Sequence, residues 1–347
     1  EIVIFTGAGI STSANIPDYR GTNGIYNKKK DKYPKLRLAE ATIAKPTFTH
    51  MAIKTLVDEG YVRHVVSQNV DGLHLRSGIV RENLSEIHGN LFIEQCYRCN
   101  QEFFRKFDVA ETTGKARHLT GRICPKCSLE DPQTVERFQN LIKYHVDKKK
   151  RKINVQSMMK IYRKAAYTLY RKERDLPLLH DVIVHYFEKQ SPAGLGKIYR
   201  IASAIKSIHG EDVTIKDLNP EDESRLKKYD THAKLILVVG SSLTVLRNYS
   251  FLWPEGMKKS AKKPTAIQNT ETRLAINTIL PTCKDGLASY LFRMPCDELF
   301  GRLIDSLNID VPEYNAKVHD QIIDWAVPIA DCEKPTLTRG NIDSTIL

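Results

Sequence analysis

The sequence has no apolar run that approaches the ~20 residues needed to span a lipid bilayer, and no even set of cysteines that could close a complete disulfide framework. Of its 7 cysteines, 4 stand in two C-x-x-C pairs. A helical membrane span is therefore excluded, and the cysteines favour a metal site in a reducing compartment. Neither a start Met nor a signal peptide precedes the first strand pattern, and we expect Glu1 to lie inside a longer chain.

Negative charge is also in short supply. The chain carries 53 Lys and Arg against 41 Asp and Glu, a formal net charge of +12. This balance fits an acidic partner such as nucleic acid or a nucleosome surface, and it fits an ordinary basic enzyme equally well. A length of 347 residues allows one large domain or two smaller ones, and 41% hydrophobic residues are enough for a folded core.

Short apolar strands alternate with helical patterns along the chain. Residues 61–74 run from a β-branched strand into a polar loop, and residues 233–246 and 263–271 repeat this design. We therefore predict an α/β fold with a Rossmann-like, doubly wound parallel sheet and a crevice at the carboxyl ends of its strands. The polar loops expected to line that crevice are Gln68–Asp71, Gly240–Ser242 and Asn269–Glu271.

A third glycine is missing from the loop after the first strand. The stretch TGAGISTSANIPDYRG (6–21) supplies Gly7 and Gly9, but Thr12 stands where the dinucleotide fingerprint G-x-G-x-x-G has its last glycine. A glycine turn before a helix lets backbone N–H groups approach a diphosphate, although such turns are also common for steric reasons alone. The pattern favours phosphate binding and disfavours ordinary hydride transfer.

Polar residues suited to chemistry follow the predicted strands. Asp18-Tyr19-Arg20 present an acid, a ring and a guanidinium, which either bind phosphate or form a solvated loop. Asn69 and Asp71 can position a water, an amide or a ribose hydroxyl. His88, in a polar turn, has the side chain best suited to proton transfer near neutral pH.

The two cysteine pairs have the spacing of a zinc module. Cys96 and Cys99 are followed, after 24 intervening residues, by Cys124 and Cys127. Four thiolates suit a tetrahedral Zn²⁺, and four sulfur ligands leave no open position. We predict one structural zinc ion per chain, with four free cysteines as the alternative.

Taken together, these motifs resemble the sirtuins, the NAD-dependent protein lysine deacylases. The resemblance is carried by GAGIS, IPDYRG, SQNVDGLHLRSG, LSEIHGN, the two C-x-x-C pairs and VGSSL, in family order over nearly the whole chain. It is nearest to the nuclear branch of the sixth and seventh mammalian sirtuins, and the seventh is the nearer of the two.

The resemblance assigns roles to residues of the crevice. It implies that Gly7, Ala8 and Gly9 cradle the NAD diphosphate and that His88, Asn69 and Asp71 are catalytic. Val184 would pair with the substrate peptide, and Glu271 stands where this branch often has Gln. The full set assigned to NAD is Gly7, Ala8, Gly9, Thr12, Asp18, Tyr19, Arg20, Tyr26, Gln68, Asn69, Asp71, His88, Gly240, Ser241, Ser242, Asn269, Glu271 and Cys296.

The resemblance also implies a mechanism. The acyl-lysine amide oxygen attacks the ribose carbon as nicotinamide leaves, which gives an alkylimidate. His88 then acts as general base on a ribose hydroxyl, and the acyl group leaves as O-acyl-ADP-ribose. NAD is consumed as a co-substrate, which agrees with the absence of a hydride-transfer fingerprint. The implied substrates are histones or other chromatin proteins, and the implied location is nuclear or nucleolar.

The domain boundaries expected from the sequence divide the chain into four parts. Residues 1–95 form the first part of the Rossmann-like domain, 96–180 the zinc-binding module, 181–312 the second part, and 313–347 a C-terminal extension. Two insertions interrupt them, at about 128–178 and about 190–217. In the first, Val155, Met159, Tyr162, Ala166 and Leu169 have the spacing of one helix face, which predicts an amphipathic helix packed on the small domain.

Two departures from the family pattern leave alternatives open. Phe187 replaces a family glycine in DVIVHYFEKQ (181–190), which favours protein ADP-ribosylation or an NAD-sensing chromatin scaffold over deacylation. The insertion at 128–178 is rich in Lys and Arg. It is a DNA, RNA or nucleosome contact, a solvated and partly disordered loop, or a product of a faulty gene model.

Overall fold

The fold was taken from a computed structural model of the chain. The structure describes residues 2–17, 39–111, 113–114, 117–149, 153–173, 175–185, 188, 194–210, 233–254, 257 and 272–329. No helix in these ranges is both long enough and apolar enough to cross a membrane.

Strands and helices alternate along most of the described chain. The strands are β1 (Ile2–Thr6), β2 (Val62–Ser67), β3 (Leu84–Glu86), β4 (Ile93–Cys96), β5 (Glu102–Phe104), β6 (Leu119–Ile123), β7 (Leu178–Asp181), β8 (Leu235–Val239), β9 (Arg273–Asn277) and β10 (Tyr290–Phe292). The helices are α1 (Ala39–Ile43), α2 (Phe48–Asp58), α3 (Leu73–Arg76), α4 (Pro125–Glu130), α5 (Pro132–Asp147), α6 (Val155–Tyr170), α7 (Gly194–His209), α8 (Cys296–Leu307), α9 (Ala316–His319) and α10 (Gln321–Trp325).

Six strands form one parallel sheet in the order β10-β9-β8-β1-β2-β3. Parallel strands covered on both faces read as continuous apolar runs, and β1 (IVIFT) and β8 (LILVV) have this character. The chain winds outward from β1 through β2 and β3, and in the other direction from β8 through β9 and β10. The predicted doubly wound fold is confirmed, with its switch point between β1 and β8.

The third predicted crevice strand lies later in the chain than expected. Residues 263–271, where the sequence suggested it, fall outside the described residues. The strand next to β8 is β9, and its last residue is Asn277. Only three apolar residues mark RLAIN as a strand, which is a weaker signal than IVIFT or LILVV.

Four further strands form a separate antiparallel sheet in the order β5-β4-β7-β6. Buried charges hold it together: Glu94 on β4 accepts hydrogen bonds from Arg105 at 2.7 Å and from Arg122 at 2.8 Å. Burial alone would raise the pKa of Glu94, but the two guanidinium groups outweigh burial and lower it. Glu94 is therefore ionised within the small sheet.

The first insertion is helical in its described part. Helix α5 begins at an Asp131 N-cap and α6 at an Asn154 N-cap. Met159, Tyr162, Ala166 and Leu169 are buried, and α6 packs on β6 and α5. The predicted amphipathic helix is confirmed, and a loop over residues 155–170 is excluded.

The C-terminal segment up to residue 329 packs on both sheets. Ile322 of α10 is fully buried, and Asp320 forms an ion pair with Arg76 of α3. Further along, Val327 donates its N–H to the Phe104 carbonyl of β5, and the Trp325 ring contacts the Phe104 ring. The segment thereby ties the edge of the small sheet to the core of the large one.

Candidate active site and zinc centre

Two glycine turns meet at the switch point of the parallel sheet. The N–H of Gly9, after β1, donates to the Gly240 carbonyl after β8 at 2.9 Å. A Cβ built on Gly9 would lie 2.7 Å from Gly240 Cα, and one built on Gly7 would lie 2.8 Å from the Gly240 oxygen. Gly240 itself has a φ of +64°. The packing of one turn on the other therefore requires these glycines, whatever they bind.

A network of side chains extends from these turns along the crevice. Gln68 after β2 donates from Nε2 to Ser241 Oγ at 2.7 Å. Asn69 donates from Nδ2 to the Gly7 carbonyl at 3.1 Å. These bonds bring the ends of β1, β2 and β8 into one site, as the sequence predicted for the first two polar loops.

Two hydrogen bonds orient the Asp71 carboxylate within this network. Its Oδ2 accepts from Ser11 Oγ at 2.7 Å and its Oδ1 accepts from the Leu73 N–H at 3.0 Å. Burial raises the pKa of Asp71, and the bonds from Leu73 and Ser11 counter part of that effect. Ser11 was not predicted as a site residue, yet it connects Asp71 to Asn69, whose Nδ2 is 3.3 Å from Ser11 Oγ.

His88 occupies the turn after β3 with both ring nitrogens engaged. Its Nδ1 lies 2.9 Å from the Gln68 carbonyl oxygen and its Nε2 lies 3.0 Å from the Tyr249 hydroxyl. A carbonyl can only accept, so Nδ1 carries a proton. In the neutral ring Nε2 is then the basic nitrogen, and the Tyr249 hydroxyl donates to it. This arrangement fixes the tautomer that a general base needs.

The surroundings of His88 position it tightly. Burial raises the pKa of Tyr249, so its hydroxyl stays a neutral donor. A Cβ on Gly89 would lie 2.1 Å from the Val182 carbonyl oxygen, and the Val184 N–H donates to the His88 carbonyl at 2.9 Å. The turn that carries His88 is therefore bound directly to the segment that follows β7.

The remaining predicted NAD residues divide into three groups. Ala8 lies in the turn after β1, and Thr12 and Ser242 are exposed at the edge of the crevice. Cys296 begins α8, which contacts the 3₁₀ helix Ala8–Ala14, and burial raises the pKa of its thiol to about 12. The predicted residues outside the described part of the chain are Asp18, Tyr19, Arg20, Tyr26, Asn269 and Glu271.

Sequence reasoning also missed Tyr249 and Asn277. Tyr249 is 161 residues from His88 in the chain, and no local motif marks it. Asn277 ends β9, and its Nδ2 donates to the Met294 carbonyl at 2.9 Å. Its buried Oδ1 has no hydrogen-bond partner in the described ranges. The rule that polar residues end parallel strands would have found Asn277, had the strand been placed correctly.

The four cysteines of the C-x-x-C pairs form one cluster in the small sheet. The ligand atoms of Cys96, Cys99, Cys124 and Cys127 all lie within 4.8 Å of one another. The Sγ atoms of Cys96 and Cys127 are 4.0 Å apart, and those of Cys99 and Cys124 are 3.8 Å apart. Zn–S bonds of ~2.3 Å in a tetrahedron place sulfur atoms about 3.8 Å apart. The cluster therefore fits a zinc ion.

Backbone N–H groups donate hydrogen bonds to two of the cysteine sulfurs. The Arg98 N–H donates to Cys96 Sγ at 3.3 Å, and the Cys127 N–H donates to Cys124 Sγ at 3.4 Å. Such N–H···S bonds stabilise thiolates and fix their orientation. All four positions are filled by sulfur, so the centre is structural.

The sequence model described as the Sir2 family matches residues 32–247 of this chain, which is more than half of its length. The chain belongs to the Sir2 family. Among Sir2-family relatives, "NAD-dependent protein deacetylase sirtuin-7" of Rattus norvegicus is 33% identical over 344 residues, which cover 99% of this chain and 65% of the relative. "NAD-dependent protein deacetylase Sirt6" of Drosophila melanogaster is 50% identical over 116 residues, 33% of this chain and 36% of that protein.

This Sir2-family chain spans about two thirds of the length of the sirtuin-7 relatives that it matches. A solved structure described as "Sir2-p53 peptide-NAD+" aligns with 89% of this chain and 94% of that chain, at 19% identity and a TM-score of 0.44. The membership in the Sir2 family stands on the sequence model, and the predicted resemblance to the sirtuins is confirmed.

Proposed function

We propose that this chain is an NAD-dependent protein lysine deacylase that forms nicotinamide and O-acyl-ADP-ribose. The observation that carries the proposal is the arrangement of His88 in a Sir2-family crevice, with Nδ1 donating to the Gln68 carbonyl and the basic Nε2 bonded to the Tyr249 hydroxyl. The relatives named NAD-dependent protein deacetylases support the same activity.

In this proposal Nε2 of His88 accepts the proton of a ribose hydroxyl during acyl transfer. The Gln68 carbonyl stabilises the imidazolium that results, because its bond to Nδ1–H strengthens when the ring is charged. Tyr249 donates to Nε2 at 3.0 Å, so the incoming hydroxyl must displace the Tyr249 hydroxyl before it can reach the base. The proton is taken only when the ribose is in place.

The crevice has groups that fit NAD. The turns at Gly7 and Gly240 bring backbone groups of β1 and β8 to the switch point, where such sheets bind nucleotides. Asn277 offers a buried acceptor that no described group satisfies, and Asn69 and Asp71 are already oriented by Ser11. We assign NAD to this edge. The roles of Asp18, Tyr19, Arg20, Tyr26, Asn269 and Glu271 remain predictions from the sequence.

We assign the substrate peptide to the segment around Val184. The Val184 N–H is already bonded to the His88 carbonyl, so a peptide strand would pair with other backbone groups of this segment. This bond places the peptide beside the base. Tyr186 and Phe187 lie outside the described residues, and the effect of the missing glycine is left to the assay.

The deciding experiment incubates the chain with NAD and a panel of acylated histone peptides, followed by mass spectrometry. We expect nicotinamide, the deacylated peptide and O-acyl-ADP-ribose in equal amounts. His88→Ala should lower the rate by ~10²–10⁴-fold, the usual contribution of a general base, while His145→Ala on α5 should not. Incorporation of labelled NAD into protein without peptide deacylation would replace the proposal with ADP-ribosylation, and NAD binding without either reaction would favour a scaffold.

We further propose that the α5–α6 pair contacts nucleic acid and that the protein acts in the nucleus on chromatin. From Asn140 to Asp175 the sequence has twelve Lys or Arg against three acidic residues. Those exposed in the described part are Lys143, Lys148, Lys149, Lys160, Lys164, Arg171 and Lys172. Because the two helices share a buried core with β6 and β7, they present these charges on a fixed surface.

A charge-matched pair of variants tests this interaction with nucleic acid. Lys143, Lys148, Lys160 and Lys164 are changed to Gln in one variant, and exposed lysines elsewhere are changed in the control. The control positions are Lys45, Lys126, Lys234 and Lys317. The first variant should bind duplex DNA more weakly, and the log–log salt slope should fall by roughly 0.9 for each phosphate that the protein no longer neutralises. If both variants lost the same DNA affinity, the interaction would depend on the net charge of the protein and not on the α5–α6 surface.

A further inference from the structure

A second cluster of metal-ligand side chains lies beside the small sheet and uses none of the four cysteines. His118 precedes β6, Asp181 ends β7, and His185 follows four residues later. Asp181 lies between the two imidazoles, with Oδ1 2.9 Å from His118 Nδ1 and Oδ2 3.0 Å from His185 Nε2. The ligand atoms of all three residues lie within 4.8 Å of one another.

Glu188 is not one of the three ligands but forms hydrogen bonds with two of them. Its Oε1 lies 3.1 Å from His118 Nε2, and its Oε2 accepts the His185 backbone N–H at 3.0 Å. A carboxylate that accepts from the far nitrogen of an imidazole is the usual support of a metal-bound histidine, because it fixes the ring and directs the near nitrogen to the ion. Here the near nitrogen is Nδ1, directed at Asp181.

The separations are close to those within a metal coordination sphere. Bonds of ~2.0–2.2 Å from zinc to nitrogen and oxygen place neighbouring ligand atoms about 3–3.5 Å apart, and here they are 2.9 and 3.0 Å apart. A divalent ion would replace the protons that now join Asp181 to the imidazoles. Two carboxylates around two neutral imidazoles then balance a charge of +2.

We propose that His118, Asp181 and His185 form an exchangeable site for a divalent transition metal, zinc above all, and that Glu188 positions His118. Imidazole with carboxylate suits zinc and its neighbours, whereas calcium and magnesium prefer oxygen alone. His118 and Asp181 are buried and His185 is half-buried, so the ion enters from the His185 side. Thr113 Oγ1 also lies 3.3 Å from His185 Nε2, and this weak hydrogen bond yields when the metal binds.

A metal ion at this site would make residues 181–185 more rigid. His185 directly follows Val184, whose N–H is bonded to the His88 carbonyl. Metal bound to both Asp181 and His185 fixes the residues between them, and with them the support of the His88 turn. The site is thus distinct from the cysteine centre, which ties β4 to α4.

The test uses the full chain after dialysis against a chelator that leaves only tightly held zinc. Calorimetric titration with Zn²⁺ should show one further equivalent. Co²⁺ in its place should give weak visible bands without a new thiolate-to-metal charge-transfer band, because no sulfur takes part. His185→Asn should abolish this binding, and Glu188→Gln should weaken it ~10–100-fold, as removal of a supporting carboxylate does.

Matched controls are His145→Asn and Glu173→Gln, since both residues belong to the helical insertion and not to the cluster. Both should bind the additional metal as the parent does. Circular dichroism of each variant checks that it is folded. The proposal is overturned if the parent takes up no additional metal, if His185→Asn and His145→Asn bind alike, or if the added cobalt shows the sulfur charge-transfer band.

Discussion

Arg76 of α3 and Asp320, 244 residues later, form an ion pair from which water is excluded. The Arg76 Nε lies 2.7 Å from Asp320 Oδ2, and the two side chains are 1% and 0% exposed. Arg76 also donates to the carbonyl of Ala44 at 2.7 Å, and Tyr314 donates to Asp320 at 2.7 Å. The pair therefore joins the start of the parallel sheet domain to the C-terminal segment with nearly all its polar atoms engaged.

Asp320→Ala should destabilise the protein by roughly 3–5 kcal/mol, because it leaves the Arg76 guanidinium buried without its counter-charge. Urea unfolding followed by circular dichroism measures the loss. The control is Glu298→Ala, which breaks the exposed pair with Arg302 on α8, where the side chains are 44% and 70% exposed. That change should stay within about 1 kcal/mol. Similar losses for both would mean that burial adds nothing to the Arg76 pair.

Gly240→Ala should prevent the two glycine turns from meeting. A Cβ at this position would lie 2.7 Å from the Ile10 nitrogen and 2.9 Å from the Gly9 carbonyl carbon, both backbone atoms that cannot move aside. Gly60→Ala is the matched control, since its φ of +78° is similar and nothing lies within 4 Å of its Cβ. The control should cost about 1–2 kcal/mol for the left-handed backbone, and Gly240→Ala clearly more, together with lower NAD affinity. Equal costs would contradict the close packing of the turns.

Cys124→Ser should release the tightly held zinc and loosen the small sheet. Cys124 Sγ accepts from the Cys127 N–H as the N-cap of α4 and lies 3.8 Å from Cys99 Sγ, so its loss affects both halves of the centre. Zinc content by mass spectrometry should fall from one ion per chain to none, and hydrogen exchange should speed up in β4 and β6. Cys283→Ser, at an exposed cysteine, should keep its zinc. Folded, fully metallated Cys124→Ser would refute the assignment.

Stability should fall as the pH is lowered from 6.5, partly because of His64 in β2. Burial is the main cause that lowers the pKa of His64 to about 4. The unfolded chain takes up a proton near pH 6.5, while the folded chain resists it until about pH 4, so acid favours unfolding across this window. Between pH 6.5 and about pH 5 the contribution is on the order of 2 kcal/mol.

His64→Gln isolates this contribution, since glutamine can keep a bond to Ser85, now 2.7 Å from His64 Nε2. The variant should lose about 2 kcal/mol less than the parent over the same pH range, whatever its stability at neutral pH. Denaturant unfolding at several pH values gives both curves. Parallel curves would show that His64 takes up no proton on unfolding.

Local spacing explains which parts of the molecule could be predicted from the sequence. The cysteine pairs, the α6 face and the ends of β1, β2 and β8 each depend on a few consecutive residues. The bond between His88 and Tyr249 and the ion pair of Arg76 with Asp320 join residues 161 and 244 positions apart, and no local pattern encodes them. The strand beside β8 was expected at residues 263–271, which lie outside the described residues, and is observed at Arg273–Asn277, where only three apolar residues mark it.

The register of the small sheet has a consequence for the helical insertion that lies between β6 and β7 in the chain. Ile123 at the end of β6 and Leu178 at the start of β7 are direct partners in the antiparallel ladder. The chain thus leaves the sheet and returns to it at adjacent positions, as it would through a short turn. Since loop closure costs only ~0.6 kcal/mol for each doubling of length, the helix pair that follows Cys127 adds little to the cost of pairing these two strands. The charged helices pack on β6 through buried residues such as Tyr162 and Leu169, so only their exposed positions can change without disturbing the small sheet.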